Sequence, residues 1–222
     1  MLQLQVPDGR HRILLHCCCA PCSGAVVECL VQNGLRPALF FSNSNIVPFD
    51  EYEKRRGELE RYAAKFGLEC INDEYNHEEW LDFVLRNDEV PGVAGHDALA
   101  AAPERGPRCL KCFKFRLMRA AKYAAANGFD VLTTTLASSR WKSLEQVEEA
   151  GCRACEEMAD QVGHDEAQGN HDETQAGRNL IFWPQNWRKG GLQPRRAEII
   201  KEQNFYNQTW CGCEFSEHHE AR

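Results

Sequence analysis

Seven of the twelve cysteines fall into three tight clusters: Cys18-Cys19-Ala20-Pro21-Cys22, Cys109-Leu110-Lys111-Cys112 and Cys211-Gly212-Cys213. Grouped thiolates are soft ligands that select zinc, copper(I) or iron–sulfur clusters. A chain carrying them must fold so that segments near its start, middle and end converge on one metal-binding or redox centre. Cys17 and the pair Cys152 and Cys155 stand beside this pattern.

The chain has 222 residues, enough for one sizeable core. No signal segment and no long apolar run is evident, so a non-membrane, cytoplasmic protein is expected. In a reducing compartment the thiols then read as metal ligands and redox groups rather than structural disulfides. The net charge of −7 argues against nucleic-acid binding through bulk charge. Local basic groups remain, among them Arg105, Arg108, Lys111, Arg116, Arg188 and Lys189.

Apolar runs alternate with helical patterns. Strands are expected at Arg12–His16, Pro37–Phe41, Leu68–Ile71, Val131–Leu136 and Leu180–Trp183. Helices are expected at Gly24–Asn33 with Ser23 as cap, from a capping box of Asp50 and Glu53 to near Gly67, and at His77–Arg86. Further helices are expected at Cys109–Asn127, Leu144–Ala150 and Arg195–Glu202. Pro91–Pro107 reads as a mobile loop, and Gly151–Arg178 as a polar insert within a single domain spanning residues 1–222. The alternation predicts a Rossmann-like α/β fold, a mostly parallel sheet flanked by helices. Ligands of such folds sit at the carboxyl ends of strands, where the first cysteine cluster lies.

Cys109 and Cys112 open a helix, where backbone N–H groups and the neighbouring Arg108 and Lys111 favour thiolate. By spacing alone the pair fits zinc, a cluster or a redox pair. Adjacent Cys18 and Cys19 are expected to diverge and so to suit different irons of a cluster better than one tetrahedral ion. Gly212 permits a tight bend between Cys211 and Cys213, which can close a strained disulfide or bind a metal. A structural four-cysteine zinc site is the plainer alternative. Cys29 and Cys70 read as buried small hydrophobes. Cys152 and Cys155, with His164 and His171, form a loosely spaced accessory zinc candidate.

The chain resembles the QueH family, the cobalamin-independent epoxyqueuosine reductases. The segments that carry the resemblance are LLHCCCAPC (residues 14–22), FFSNSNIVPFDEYEKR (40–55), RCLKCFKFRL (108–117), GFDVLTTTLASS (128–139) and CGCEFS (211–216). Cys17 and the segment 151–178 depart from the family pattern. The resemblance implies a Rossmann-like (HUP/PP-loop-like) fold and reduction of epoxyqueuosine to queuosine at the wobble position of a tRNA, the last step of queuosine biosynthesis. It implies a [4Fe–4S] cluster on Cys18, Cys19, Cys109 and Cys112, and a redox-active pair of Cys211 and Cys213. A second, mononuclear iron is implied for some members, with Cys22 its candidate ligand here. An electron donor of unknown identity is required.

Removing an epoxide oxygen needs two electrons and two protons, and a proton donor close to that oxygen. His16, Asp50, Glu51 and Tyr52 are candidate donors. Their plainer roles are orientation of the cysteine loop for His16, helix capping for Asp50 and core packing for Tyr52. A single-stranded anticodon loop is read by stacking and edge contacts. Lys54, Arg55, Arg56, Arg188 and Lys189 are candidate phosphate contacts, and Trp187, Tyr206 and Trp210 candidate stacking groups. The rival readings are an ATP-using tRNA-modifying enzyme, whose phosphate loop the cysteine cluster displaces, and a zinc-stabilised RNA-binding module.

Overall fold

The computed structural model describes residues 2–86, 96–166 and 180–216. Five strands form one parallel sheet: β1 (Ile13–His16), β2 (Ala38–Phe41), β3 (Cys70–Asn72), β4 (Val131–Thr134) and β5 (Ile181–Phe182). Their order across the sheet is β3-β2-β1-β4-β5. The helices are α1 (Ala20–Gln32), α2 (Phe49–Lys65), α3 (His77–Leu85), α4 (His96–Ala100), α5 (Pro107–Ala126), α6 (Leu144–Glu166) and α7 (Leu192–Glu202). The Rossmann-like α/β fold expected from the alternation is therefore observed.

The strands of the middle are buried along their whole length, because helices cover both faces. Ile13, Leu14, Leu15, Leu39, Phe40, Phe41, Val131 and Leu132 are all buried. Helix α1 packs against α7 and α2, and α5 packs against α6 and α3. From β1 the chain winds outward to β2 and β3, then returns to place β4 on the other side of β1. The switch point of the topology thus lies between β1 and β4, where open α/β sheets form their binding crevice. Two turns leave the sheet near there: the cysteine-bearing Cys17–Cys19 after β1, and a 3-10 turn, Thr135–Ser138, after β4.

Several local expectations are corrected. Helix α1 starts at Ala20, three residues before Ser23, with Cys19 as N-cap and a proline in its first turn. Proline is pre-organised for that position and forfeits no bond there. Ser23 instead donates to the Cys19 carbonyl at 2.8 Å. The capping box at Asp50 does not form: α2 begins at Phe49 with Pro48 as N-cap and no side-chain cap. Of the loop expected at Pro91–Pro107, residues 96–100 form α4 and Pro107 opens α5, while residues 91–95 lie outside the described residues.

The largest correction concerns the polar loop expected from Gly151. Residues 151–166 continue α6, and residues 167–178 lie outside the described residues. Val147, Ala150, Ala154, Cys155 and Met158 are buried at helical spacing. Gly151 lies so close to Phe182 that a Cβ would stand 2.3 Å from its ring. The apolar stripe is narrow and built of small residues, which is why charge dominates the sequence there.

Candidate metal and redox site

Turning at the end of β1 carries Cys18 and Cys19 into the crevice, and the first turn of α1 adds Cys22. The three Sγ atoms lie within 4.8 Å of one another, and no other such group of three occurs among the described residues. The Sγ atoms of Cys18 and Cys19 are 3.8 Å apart. A tetrahedral ion with sulfur ligands at about 2.3 Å has an edge of about 3.8 Å. The expected divergence of these neighbours is thus corrected. Cys19, the N-cap of α1, is extended (φ −177°, ψ 162°), and the first turn of α1 brings Cys22 back to the two sulfurs.

The trio is held from three directions. The Cys18 N–H donates to Thr135 Oγ1 at 3.2 Å, and that hydroxyl is 3.6 Å from Cys18 Sγ. Ser138 Oγ donates to the Cys22 carbonyl at 3.0 Å. Gln208 Nε2 reaches Cys19 Sγ at 2.7 Å. Thiol hydrogen bonds from Cys19 and Cys22 hold Cys18 well below the ordinary cysteine pKa, against its burial. Cys19 is raised in return, chiefly because its proton is shared with Cys18. One thiolate with two thiol donors is a set ready to exchange protons for a metal.

Cys109 and Cys112 open α5, and Cys112 packs in the same apolar cluster as Cys213, with Trp80, Val84, Leu85, Leu99 and Phe115. Arg108 favours thiolate at Cys109 as expected, but burial outweighs it. Arg108 is buried and donates to the carbonyls of Leu99 and Ala100. Lys111 donates to the Arg86 carbonyl. Burial pushes Cys109 up to about 12, with the negative charge of Cys211 adding to it, and burial also raises Cys112.

The tail is fixed by Arg55 of α2, which donates to the Cys211 carbonyl at 2.9 Å and to Glu51 at 2.7 Å. Gly212 adopts φ +106°, and a Cβ there would meet Arg55 and Ile46 at 2.9 Å. The tight bend therefore does require glycine. Cys211 and Cys213 are free thiols. A hydrogen bond from Cys213 holds Cys211 well below the ordinary value, aided by Lys142, Arg116 and Arg55.

Arg116 and Lys142 join the three clusters electrostatically. Arg116 acts on Cys18, Cys112 and Cys211. It is buried and donates to the Ser42 carbonyl at 3.1 Å and to Asn43 Oδ1. Burial opposes the charge of Lys142, yet the thiol groups of Cys211, Cys18 and Cys22 outweigh it and raise its pKa. Neither residue was expected at the site. Lys142 carried no motif, and Arg116 was read only as one of several basic residues.

The candidate proton donors separate. His16 is buried, with Nδ1 2.7 Å from Thr134 Oγ1 and Nε2 3.2 Å from the Ser42 carbonyl. Burial, then Arg116, lowers its pKa to about 3, so it stands neutral and orients the β1 and β4 turns. Tyr52 is buried, and desolvation raises it to about 12. Glu51 is tied to Arg55. Asp50 is exposed on α2. Of the candidate RNA contacts, Arg55 is buried and engaged, and Arg188 donates to the carbonyls of Ser139 and Lys142. Lys54 is exposed and lies 3.4 Å over the Tyr206 ring, and Lys189 is exposed. Arg56 pairs with Glu53. Trp187 is fully buried against Trp183, whereas Trp210 is half-buried near Arg55. Cys17 and Cys29 are buried, and Cys70 is half-buried on β3. Cys152 and Cys155 lie on α6 and belong to no group of three metal-capable side chains among the described residues.

A parallel α/β sheet with a buried cysteine trio at its switch point, and two cations acting on it, has the arrangement of a thiol-based metal-binding protein. A family model described as epoxyqueuosine reductase QueH matches residues 13–219. The epoxyqueuosine reductase QueH of Haemophilus influenzae is 38% identical over 214 residues, covering 96% of this chain and 75% of that protein. That of Acinetobacter baylyi is 37% identical, covering 97% and 84%. That of Thermotoga maritima is 30% identical, covering 92% and 89%. The chain belongs to the epoxyqueuosine reductase QueH family. No described helix is long and apolar enough to cross a membrane.

Proposed function

We propose that the chain reduces epoxyqueuosine to queuosine at the wobble position of a tRNA. The observation that carries this reading is the buried trio Cys18, Cys19 and Cys22 at the sheet's switch point, with Arg116 and Lys142 acting on Cys18 and on Cys211, in a chain of this family. Cys18, Cys19, Cys109 and Cys112 would hold a [4Fe–4S] cluster, which when bound supplies electrons one at a time. The donor set fits such a group in its chemistry: soft thiols, buried, beside two cations that offset the charge of a thiolate centre.

Cys211 and Cys213 would act as a dithiol in this reading. Oxidation of that dithiol to a disulfide releases two electrons and two protons. Those match the conversion of an epoxide to an alkene and water. Lys142 is the cation available at this pair to hold a proton near the departing oxygen. A separate donor must then return two electrons and two protons to the disulfide.

One observation favours a second reading of the metal. The 3.8 Å separation of Cys18 and Cys19, with Cys22 beside them, suits a single ion. A mononuclear iron or zinc on this trio would leave Cys109 and Cys112 as thiols. Anaerobic purification followed by iron, zinc and acid-labile sulfide analysis separates the two. Equal iron and sulfide with visible absorption that bleaches on dithionite supports the cluster. A colourless protein with one zinc, still inactive after reconstitution with iron and sulfide, overturns it.

A further inference from the structure

The segment Ser139–Lys142 follows the 3-10 turn after β4, and all four of its backbone carbonyls accept from arginines. Arg188 Nη2 donates to Ser139 O at 2.6 Å and to Lys142 O at 2.8 Å. Arg105 donates through Nε to Trp141 O at 3.1 Å and through Nη2 to Arg140 O. Two guanidinium groups from segments on either side in sequence thus clamp four consecutive residues. The side chain this clamp displays is Trp141, which is 67% exposed. A large aromatic ring left in water on a flexible loop calls for no explanation. Here the backbone beneath the ring is fixed, so the ring stands on a rigid base.

The clamp is also joined to the thiol site. Arg105 has φ +64°, a conformation uncommon outside glycine. From it the Arg105 N–H donates to Cys109 Sγ at 3.3 Å while the same residue's side chain holds the Trp141 loop. On the other flank Ser138 Oγ holds the Cys22 carbonyl and Gln193 Nε2 donates to Ser138 O at 2.8 Å. Arg140 is exposed beside Trp141, and Lys189, next to Arg188, is exposed as well.

We propose that Trp141 is a stacking platform for a nucleobase of the single-stranded RNA loop that carries the modified nucleoside, with Arg140 and Lys189 meeting its phosphates. The inference rests on the tRNA reading above and names the residue that seats the loop. An indole on a fixed backbone offers its face to any base, and the exposed cations Arg140 and Lys189 supply the charge complement. Trp187 cannot serve, being fully buried.

The test measures binding of a labelled RNA stem-loop with an unmodified wobble guanosine to the metal-loaded protein and to its Trp141→Ala and Trp141→Phe variants. A blunt RNA duplex of equal phosphate number is the control. Loss of one stacked base should weaken stem-loop binding by about 5- to 150-fold in Trp141→Ala. Trp141→Phe should recover most of it, and duplex binding should be equal in all three. Equal stem-loop affinity in wild type and Trp141→Ala overturns the platform and leaves the tRNA reading intact. A wild-type protein with no stem-loop binding overturns the tRNA reading itself. If Trp141→Ala loses metal or melts early, the deciding signal is stem-loop quenching of Trp141 emission, taken as wild type minus Trp141→Phe. Its presence supports the platform, and its absence overturns it.

Discussion

The side-chain amide of Gln208 lies 2.7 Å from Cys19 Sγ, joining the tail to the first cysteine turn across 189 residues. The amide N–H donates to the sulfur and lowers its charge density without competing for metal. Partners of this kind change metal affinity about 10- to 100-fold. Gln208→Glu replaces the donor with a repelling carboxylate. The variant should lose metal to a chelator at a correspondingly lower concentration. Unchanged metal retention would mean that the contact orients nothing.

Arg55 and Glu51 form an ion pair at 2.6 Å, with side chains only 3% and 11% exposed. Removing one partner of a buried pair typically costs about 3–5 kcal/mol, because the other charge stays buried alone. Arg55→Met should lower stability toward that range and free the Cys211 carbonyl. Chemical denaturation measures the first effect. The second should show as faster alkylation of Cys211 in the folded protein. A variant as stable as wild type, with Cys211 still protected, would deny Arg55 its tethering role.

Helix α6 packs through Ala154, Cys155 and Met158, and Gly151 lies against Phe182. Replacing residues 151–166 with a flexible linker should therefore unfold the protein rather than spare it. Met158→Ala should cost about 2–5 kcal/mol. Gly151→Ala should cost about 1–3 kcal/mol, since an added methyl overpacks against the ring. Full stability in either point variant would show that α6 does not close the core.

Burial raises Cys155 to about 12, from 9.0 when exposed. The unfolded chain releases this proton first as pH rises, so the folded state holds more protons between those values. Stability from this thiol is intact below pH 9 and declines as pH climbs toward 12, by about 1.4 kcal/mol per unit at most. Cys155→Ala should lose less stability than wild type between pH 8.5 and 10.5. Parallel losses would place Cys155 in water.

The strand–helix alternation, the parallel sheet and the position of the first cysteine turn were legible in the sequence, because hydrophobic period and helix-ending glycines act locally. The nearness of Cys18, Cys19 and Cys22 was legible too, but their meeting at one point was not, because Cys18 and Cys19 were expected to diverge. What the sequence left open depends on contacts between segments distant in the chain. The approach of Gln208 to Cys19, the capture of the Cys211 carbonyl by Arg55, and the clamp of Arg105 and Arg188 on Ser139–Lys142 follow from packing alone. Arg108 and Lys111 show the converse: adjacency to cysteines promised activation, but both side chains turn to backbone carbonyls, and burial outweighs the charge of Arg108 at Cys109. The apolar stripe of α6 was present in the sequence yet masked by charge, because a helix needs only one narrow face against the core. A sequence sets which residues are neighbours along the chain and which faces avoid water. Only the folded sheet, by bringing the ends of β1 and β4 side by side, decides which charges and sulfurs share one low-dielectric crevice.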